Sequence, residues 1–275
     1  MGINIITNDI PNLSNNTISS INFFVDKNCS HYYFLNYIRI TNGNVSDAIS
    51  LYHFDEDLRK VVLKYILRLE VQMKKDLIDS VILNQGDTCF WNVPSYYNPS
   101  YTTVKKGYAS SLFDIMVRDI NYLKSKKNFS LIGPEDERCF YCCSFGKFIE
   151  IYKNLHFSHK SIFNYKYYGI SSNSTSVIYD YLNSIRSIRN RCCHSNHIVS
   201  FKMINELGVR TLPIIGAYKK MSEFEKCLCF INNSLDNKTG MREELLFILD
   251  KYEKTWCKYK QLINKNTYNI ISSFK

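Results

Sequence analysis

Glycine and proline are scarce in this chain, at 10 and 5 of 275 residues. That scarcity excludes collagen-like and linker-like chains and argues against a turn-dense all-β fold. Long apolar runs are missing too: none approaches the ~18 residues of a membrane-spanning helix. Met1 is followed by the polar stretch GINIITNDIPNLSNN, without the basic leader and apolar core of an export signal. The ten cysteines are too sparse and irregular for a disulfide framework. A cytoplasmic protein with reduced thiols and no membrane partner is therefore expected. Glycine-rich phosphate loops, a serine nucleophile elbow and zinc-protease signatures are also absent.

What is present is enough apolar material, 45% of residues, to bury the core of one large domain or two small ones. Net charge is +10, from 35 basic and 25 acidic residues. The abundance of Asn, Ile, Lys, Tyr and Phe is what an AT-rich genome produces, so the total by itself means little. Its distribution means more. Residues 1–137 hold 14 Lys/Arg against 15 Asp/Glu, or −1, and residues 138–275 hold 21 against 10, or +11. Codon bias acts along the whole chain, so a one-sided excess points to an anionic partner for the second half.

Apolar spacing at steps of three and four marks helices. Thr17 to Arg39 reads as helix interrupted near Lys27–Ser30. Asp47 to Leu83 is the clearest case, a long amphipathic helix or a bent pair with the bend at Phe54–Asp55. Gly86 to Gly107 is an aromatic loop, and Tyr108 to Lys127 is helical. Further helices are expected at Cys139–Leu155, Ser174–Cys193, Met221–Asn232 and Met241–Ile263, with Gly133–Pro134 and Gly208–Pro213 as loops. Residues 1–30 read as a variable lead-in packed on a single all-α domain spanning 31–275.

The segment SIRSIRNRCCHSNHI, residues 184–198, carries the chemistry. Arg189, Asn190 and His194 form Arg-Asn-x-x-x-His. On a helix Asn190 and His194 are one turn apart on the same side. Arg189 lies about 140° from His194, within reach of its long side chain. An imidazole can move a proton to or from a 2′-hydroxyl or a leaving 5′-oxygen, and a guanidinium can stabilise a phosphorane. The Asn amide can orient either group. Such a set cuts RNA without metal, because the nucleophile is the substrate's own 2′-hydroxyl. The products would be a 2′,3′-cyclic phosphate and a 5′-hydroxyl. The plainer reading is an ordinary helix that happens to carry Arg and His, and Arg191 with His197 satisfies the same loose spacing. Asn190 favours the first phasing.

Arg-Asn-x-x-x-His resembles the signature of HEPN-type helical ribonucleases. Residues 48–77, AISLYHFDEDLRKVVLKYILRLEVQMKKDL, resemble the Leu-Tyr-x-Phe-Asp-x-x-Leu-Arg block of the abortive-infection (Abi) family of the AbiD/AbiF type, with Glu70 at its recurrent Glu. HYYFLNYI at 31–38, SFGKFIEIY at 144–152 and RNRCCHSNH at 189–197 resemble three further blocks of that family. The last departs at Cys193, Ser195 and His197, where the family usually has Ala, His and Arg. The resemblance implies a HEPN-like helical bundle with additional helices, defence against phage, and RNA as substrate or bound partner. It implies Arg189, Asn190 and His194 as the catalytic set and no cofactor. One motif per chain implies a homodimer that supplies the second. A bound noncoding RNA, as AbiF-like proteins are associated with, could hold such a site inactive. The competing expectation is a non-catalytic RNA-binding module of a defence or toxin-antitoxin system, and a third is a purely protein-binding member of one.

RNA contacts are expected at Arg186, Arg191 and His197 beside the motif, and at Lys166, Lys258 and Lys260. There lysines alternate with aromatics (Tyr165, Tyr167, Tyr168; Tyr252, Trp256, Tyr259), a pattern suited to stacking and phosphate attraction. The alternative is an aromatic helix face with solvated lysines. Cys139, Cys142 and Cys143 with Cys192, Cys193, His194 and His197 invite a zinc reading, but the spacing fits no zinc knuckle, and buried packing thiols are preferred. Asp55 is expected to cap the Leu58 helix, Glu70 to pair with Lys74, and Arg59 to tie the helix to the bend.

Overall fold

A computed structural model of the chain describes residues 15–28, 31–86, 90–126, 140, 142–169, 174–194, 196–198, 223–235 and 240–259. Among these the protein is all-α, as expected. Its helices are α1 (Asn15–Asn28), α2 (His31–Ile40), α3 (Val45–Gln85), α4 (Pro99–Thr102), α5 (Leu112–Lys126), α6 (Phe145–Asn154), α7 (Phe157–Tyr167), α8 (Ser174–Cys193), α9 (Glu223–Ser234), α10 (Met241–Lys251) and α11 (Glu253–Lys258). An isolated antiparallel bridge joins Tyr97 to Leu155.

The centre is α3, 41 residues long, or about 60 Å. Asn44 starts it by accepting a hydrogen bond from the Asp47 N–H at 3.0 Å. Gly86 stops it in the left-handed region at φ 70°, with its N–H on the Ile82 carbonyl at 2.7 Å. The helix runs unbroken through Phe54–Asp55, and Asp55 lies inside it rather than at a cap. An aspartate disturbs a helix when its carboxylate competes for nearby backbone donors. Here both carboxylate oxygens are taken by donors from outside the helix, the Tyr37 hydroxyl and the Ile198 N–H, each at 2.8 Å.

Helices α1, α2 and α6 to α11 pack around α3, and one core cluster runs from Ile21 to Tyr259. The stripe that α3 buries is not purely apolar. Besides Leu51, Phe54, Leu58, Val62, Ile66, Leu69, Met73 and Leu77, it carries Asp55, Arg59, Glu70, Lys74 and Ser80. Glu70 and Lys74 pair at 2.8 Å, as expected, and Lys74 also donates to the Cys143 carbonyl at 2.7 Å. Ser80 donates to the His159 carbonyl at 3.1 Å and accepts from the Phe163 N–H at 3.3 Å. These buried polar groups are tolerable because each makes at least one bond, although Arg59 Nη1 and Glu70 Oε2 stay enclosed without a partner. These bonds also set where α6, α7 and the chain after α8 meet the strut.

Several elements differ from expectation: α5 begins at Leu112 rather than Tyr108, and α4 interrupts the loop expected at Gly86–Gly107. The helix sought at Cys139–Leu155 begins at Phe145, because Ser144 accepts from the Lys147 N–H at 3.2 Å and caps it. The helix sought at Met241–Ile263 divides at Tyr252. Helix α7 was not expected at all, since its inward positions His159, Lys160, Phe163, Asn164 and Tyr167 include three polar types that hide the stripe. Lys160 and Asn164 are accommodated locally, whereas His159 keeps its Nδ1 enclosed without a hydrogen-bond partner. Lys160 donates to the Tyr152 and Lys153 carbonyls at 2.7 and 3.1 Å, closing the end of α6. Asn164 accepts from the Tyr152 hydroxyl at 2.7 Å and donates to Thr175 at 3.0 Å. Burial pushes the Lys160 ammonium down to about 7. The loops expected at Gly133–Pro134 and Gly208–Pro213 lie outside the described residues, as does the lead-in up to residue 14.

Candidate functional site

Helix α8 is 20 residues long and buries Ile178, Tyr181, Leu182, Ile185, Ile188 and Cys192, a spacing that leaves its other face to solvent. Arg186, Asn190 and His194 follow one another at steps of four along that outer face, and all are exposed. The His194 N–H still bonds the Asn190 carbonyl at 3.0 Å, so the histidine closes the last turn. Half-buried Arg189 flanks the column.

These side chains are chemically open. Arg186, Asn190 and His194 take no hydrogen-bond or ion-pair partner among the described residues. The Nε of Arg189 is shielded from solvent and has no hydrogen-bond partner. An enclosed donor without a partner costs roughly 1–3 kcal/mol, which a bound acceptor would relieve. Helix C-termini carry the negative end of the helix dipole and favour cations there. Several guanidinium groups at such an end can nevertheless present net positive charge to an anion.

Arg186 brings a second block of sequence to the site. It lies over the start of α6, where a Cβ on Gly146 would stand 3.6 Å from its Cδ and from one of its terminal nitrogens. The Ser-Phe-Gly turn at residues 144–146 is thus a floor beneath Arg186, a juxtaposition that helical spacing could not reveal.

Arg191 and His197 behave differently from the open column. Arg191 donates to the His197 carbonyl at 3.3 Å, and the His197 ring meets Tyr37 edge-on at 6.5 Å between centroids. Both are half-buried and hold the chain that leaves α8. Ser195 lies outside the described residues.

Lys166 and Lys258 are exposed but already ion-paired. They belong to a repeated device. Lys-Tyr occurs four times in the sequence, at 64–65, 166–167, 251–252 and 258–259. Every time, the ammonium and the phenol hydroxyl meet one carboxylate. Lys64 and Tyr65 reach Glu244 at 2.6 and 2.9 Å. Lys251 and Tyr252 reach Asp57 at 2.8 and 2.9 Å. Lys166 and Tyr167 share Asp76, and Lys258 and Tyr259 share Asp47. Each lysine also lies over its neighbouring ring, at 4.8 to 5.9 Å. All four clamps include a residue of α3 and fasten α7, α10 or α11 to it. At Gly240 the packing is so close that a Cβ would stand 2.7 Å from the Tyr65 hydroxyl, at φ 111°. The dipeptide was visible in the sequence, but its carboxylate partners are 90 to 212 residues away. Lys260 and the Trp256 side chain lie outside the described residues.

The thiols of Cys143 and Cys192 are pushed up to about 12 by burial, which keeps them neutral packing groups. Cys139 lies outside the described residues. Among the described residues, no three His, Cys, Asp or Glu side chains are grouped to hold a metal ion. No described helix is long and apolar enough to cross a membrane.

A family model described as Abi-like protein matches residues 30–200, which takes in α2, α3, the Ser-Phe-Gly turn and the Arg-Asn-x-x-x-His turn. No curated protein and no solved structure matches the chain.

Proposed function

This chain belongs to the Abi-like protein family, whose setting is abortive infection, and on that premise we propose that it is a metal-independent endoribonuclease of antiphage defence. The observation that carries the reading is the open column at the end of α8: Arg186, Asn190 and His194 exposed and without a partner among the described residues, with Arg189 Nε shielded and unsatisfied. In this reading His194 moves the proton at the 2′-hydroxyl or the leaving 5′-oxygen. Arg189 stabilises the phosphorane, and Asn190 orients the phosphate or the imidazole. Arg186 holds a neighbouring phosphate, while Arg191 and His197 contribute through the exit chain that they brace. Lys166 and Lys258 would have to leave Asp76 and Asp47 to bind RNA, so the arginines of α8 carry the affinity.

One motif histidine per chain suits one proton transfer at a time, so the proposed active unit is a symmetric dimer with both His194 side chains facing one cleft. A noncoding RNA bound on the same face would keep that cleft closed until infection.

The test compares wild type with His194→Ala on RNA in EDTA. Cleavage by wild type with a 2′,3′-cyclic end, lost in the variant and on a substrate with a single 2′-deoxy at the scissile position, supports the reading. A variant that binds RNA and arrests growth as wild type does would overturn catalysis by this motif and leave a non-catalytic RNA-binding module. That outcome has its own support, since exposed arginines suffice for phosphate binding. If neither protein binds RNA, both readings fail.

A further inference from the structure

Beneath the open column lies a buried polar knot. Asp55, in the first third of α3, is fully enclosed. Its carboxylate accepts from the Tyr37 hydroxyl of α2 and from the Ile198 N–H beyond α8, both at 2.8 Å, and it pairs with Arg59 Nε at 3.3 Å. Acid and base sit one helical turn apart on the strut, and the third element they reach is the chain that leaves the motif.

That chain is held at successive residues. The Asn196 N–H reaches back to the Arg191 carbonyl at 2.9 Å, the long-range bond of a Schellman-type helix end. The His197 carbonyl accepts from Arg191, and its ring rests edge-on against Tyr37. Ile198 is buried, and its N–H ends on Asp55. Among the described residues His194 has no side-chain partner. What holds it there is the backbone: the last turn of α8 behind it and the anchored stretch 196–198 ahead.

We infer that Asp55 is the positioning residue for His194, acting through the Ile198 amide rather than by touching the imidazole. A carboxylate suits this task because both of its oxygens accept, Oδ1 from Ile198 and Oδ2 from Tyr37, whereas a neutral amide offers one acceptor atom and one donor. Tyr37 and Arg59 hold the carboxylate in place, and burial together with the Asp55 charge pushes the Tyr37 phenol up, so it remains a donor. The inference rests on the ribonuclease reading of the site, but its structural half does not.

The experiment uses the full-length protein with Asp55→Asn and, as a second route to the same lesion, Ile198→Pro, which deletes the donor and leaves the carboxylate. Two measurements are made on each: hydrogen exchange of the amides at 196–198 (196 and 197 in the proline variant), and kcat with KM for cleavage of a single-stranded RNA. The expected result is loss of amide protection at 196–198 in Asp55→Asn. Both variants should lose kcat by about a hundredfold, the scale of a small misplacement of a reacting group, with KM nearly unchanged because Arg186 and Arg189 still bind. Unprotected amides with wild-type kcat would overturn the inference while leaving the ribonuclease reading intact. Protected amides in Asp55→Asn would overturn it at the structural step. If Asp55→Asn does not fold, Ile198→Pro decides: a fall in KM-type binding with unchanged kcat overturns the inference, and a fall in kcat sustains it. If wild type cleaves no RNA, the ribonuclease reading fails, and the exchange data still decide whether Asp55 anchors the chain.

Discussion

The last two turns of α8 and the Lys-Tyr clamps along α3 are built from similar residue types and end in opposite states. At the clamps every ammonium and phenol meets a carboxylate, so positive charge is neutralised and three helices are tied to the strut. At the end of α8 the exposed polar groups Arg186, Asn190 and His194 meet no partner among the described residues. A basic residue with a carboxylate partner contributes to the fold, whereas one left without a partner is available to a ligand. Counting lysines and arginines cannot tell these apart, and the +11 of the second half includes both kinds.

The contrast can be broken most directly at its open end. His194→Ala should lower RNA cleavage by about 10²–10⁴-fold and leave the melting temperature where it was, since the imidazole bonds to none of the described residues. A matching fall in thermal stability would put His194 on the structural side. Glu70→Ala is the converse. It strands the Lys74 ammonium in the core and should cost about 3–5 kcal/mol in a urea titration. An unchanged midpoint would show that water reaches Lys74.

Lys160 sharpens the comparison through pH. Its proton is lost near 7 in the folded protein and near about 10.4 in the unfolded chain. Between these values the unfolded state binds the extra proton, so stability should rise with pH and level off below the lower one. Urea midpoints at pH 7 and pH 9 check the slope, and Lys160→Met should flatten it. The smallest effect is expected at a single clamp. Tyr252→Phe removes one hydrogen bond to Asp57 and should cost about 1 kcal/mol without altering cleavage. At Asp47 the Lys258 and Tyr259 bonds hold the carboxyl below its ordinary range. That clamp is therefore complete at neutral pH and is lost as pH falls through the carboxylate range.

Much of the fold was legible where apolar periodicity was clean. Helix α8 has the expected bounds, and α3 the expected extent. Legibility failed where polar residues face inward. Asp55 read as a cap because aspartate usually serves its own backbone, and only the arrival of Tyr37 and Ile198 reverses that. Helix α7 was hidden because Lys160 and Asn164 occupy core positions, each made acceptable by partners on α6 or α8. At the site, spacing placed Arg189, Asn190 and His194 on one stretch of helix. It could not show that Arg186 stands over Gly146, or that His197 braces the exit chain rather than facing outward.

The local order of residues determined the helical class, the long central helix and the placement of Arg189, Asn190 and His194 within two turns of one helix, because helical periodicity and side-chain chemistry act over a few positions. Which charges remain open was decided only by the tertiary structure. An ion pair or a buried hydrogen bond forms between groups brought together across the chain, as Asp47 meets Lys258 and Asp55 meets Ile198. Whether a donor is satisfied is a property of its surroundings, and those exist only once the helices have packed.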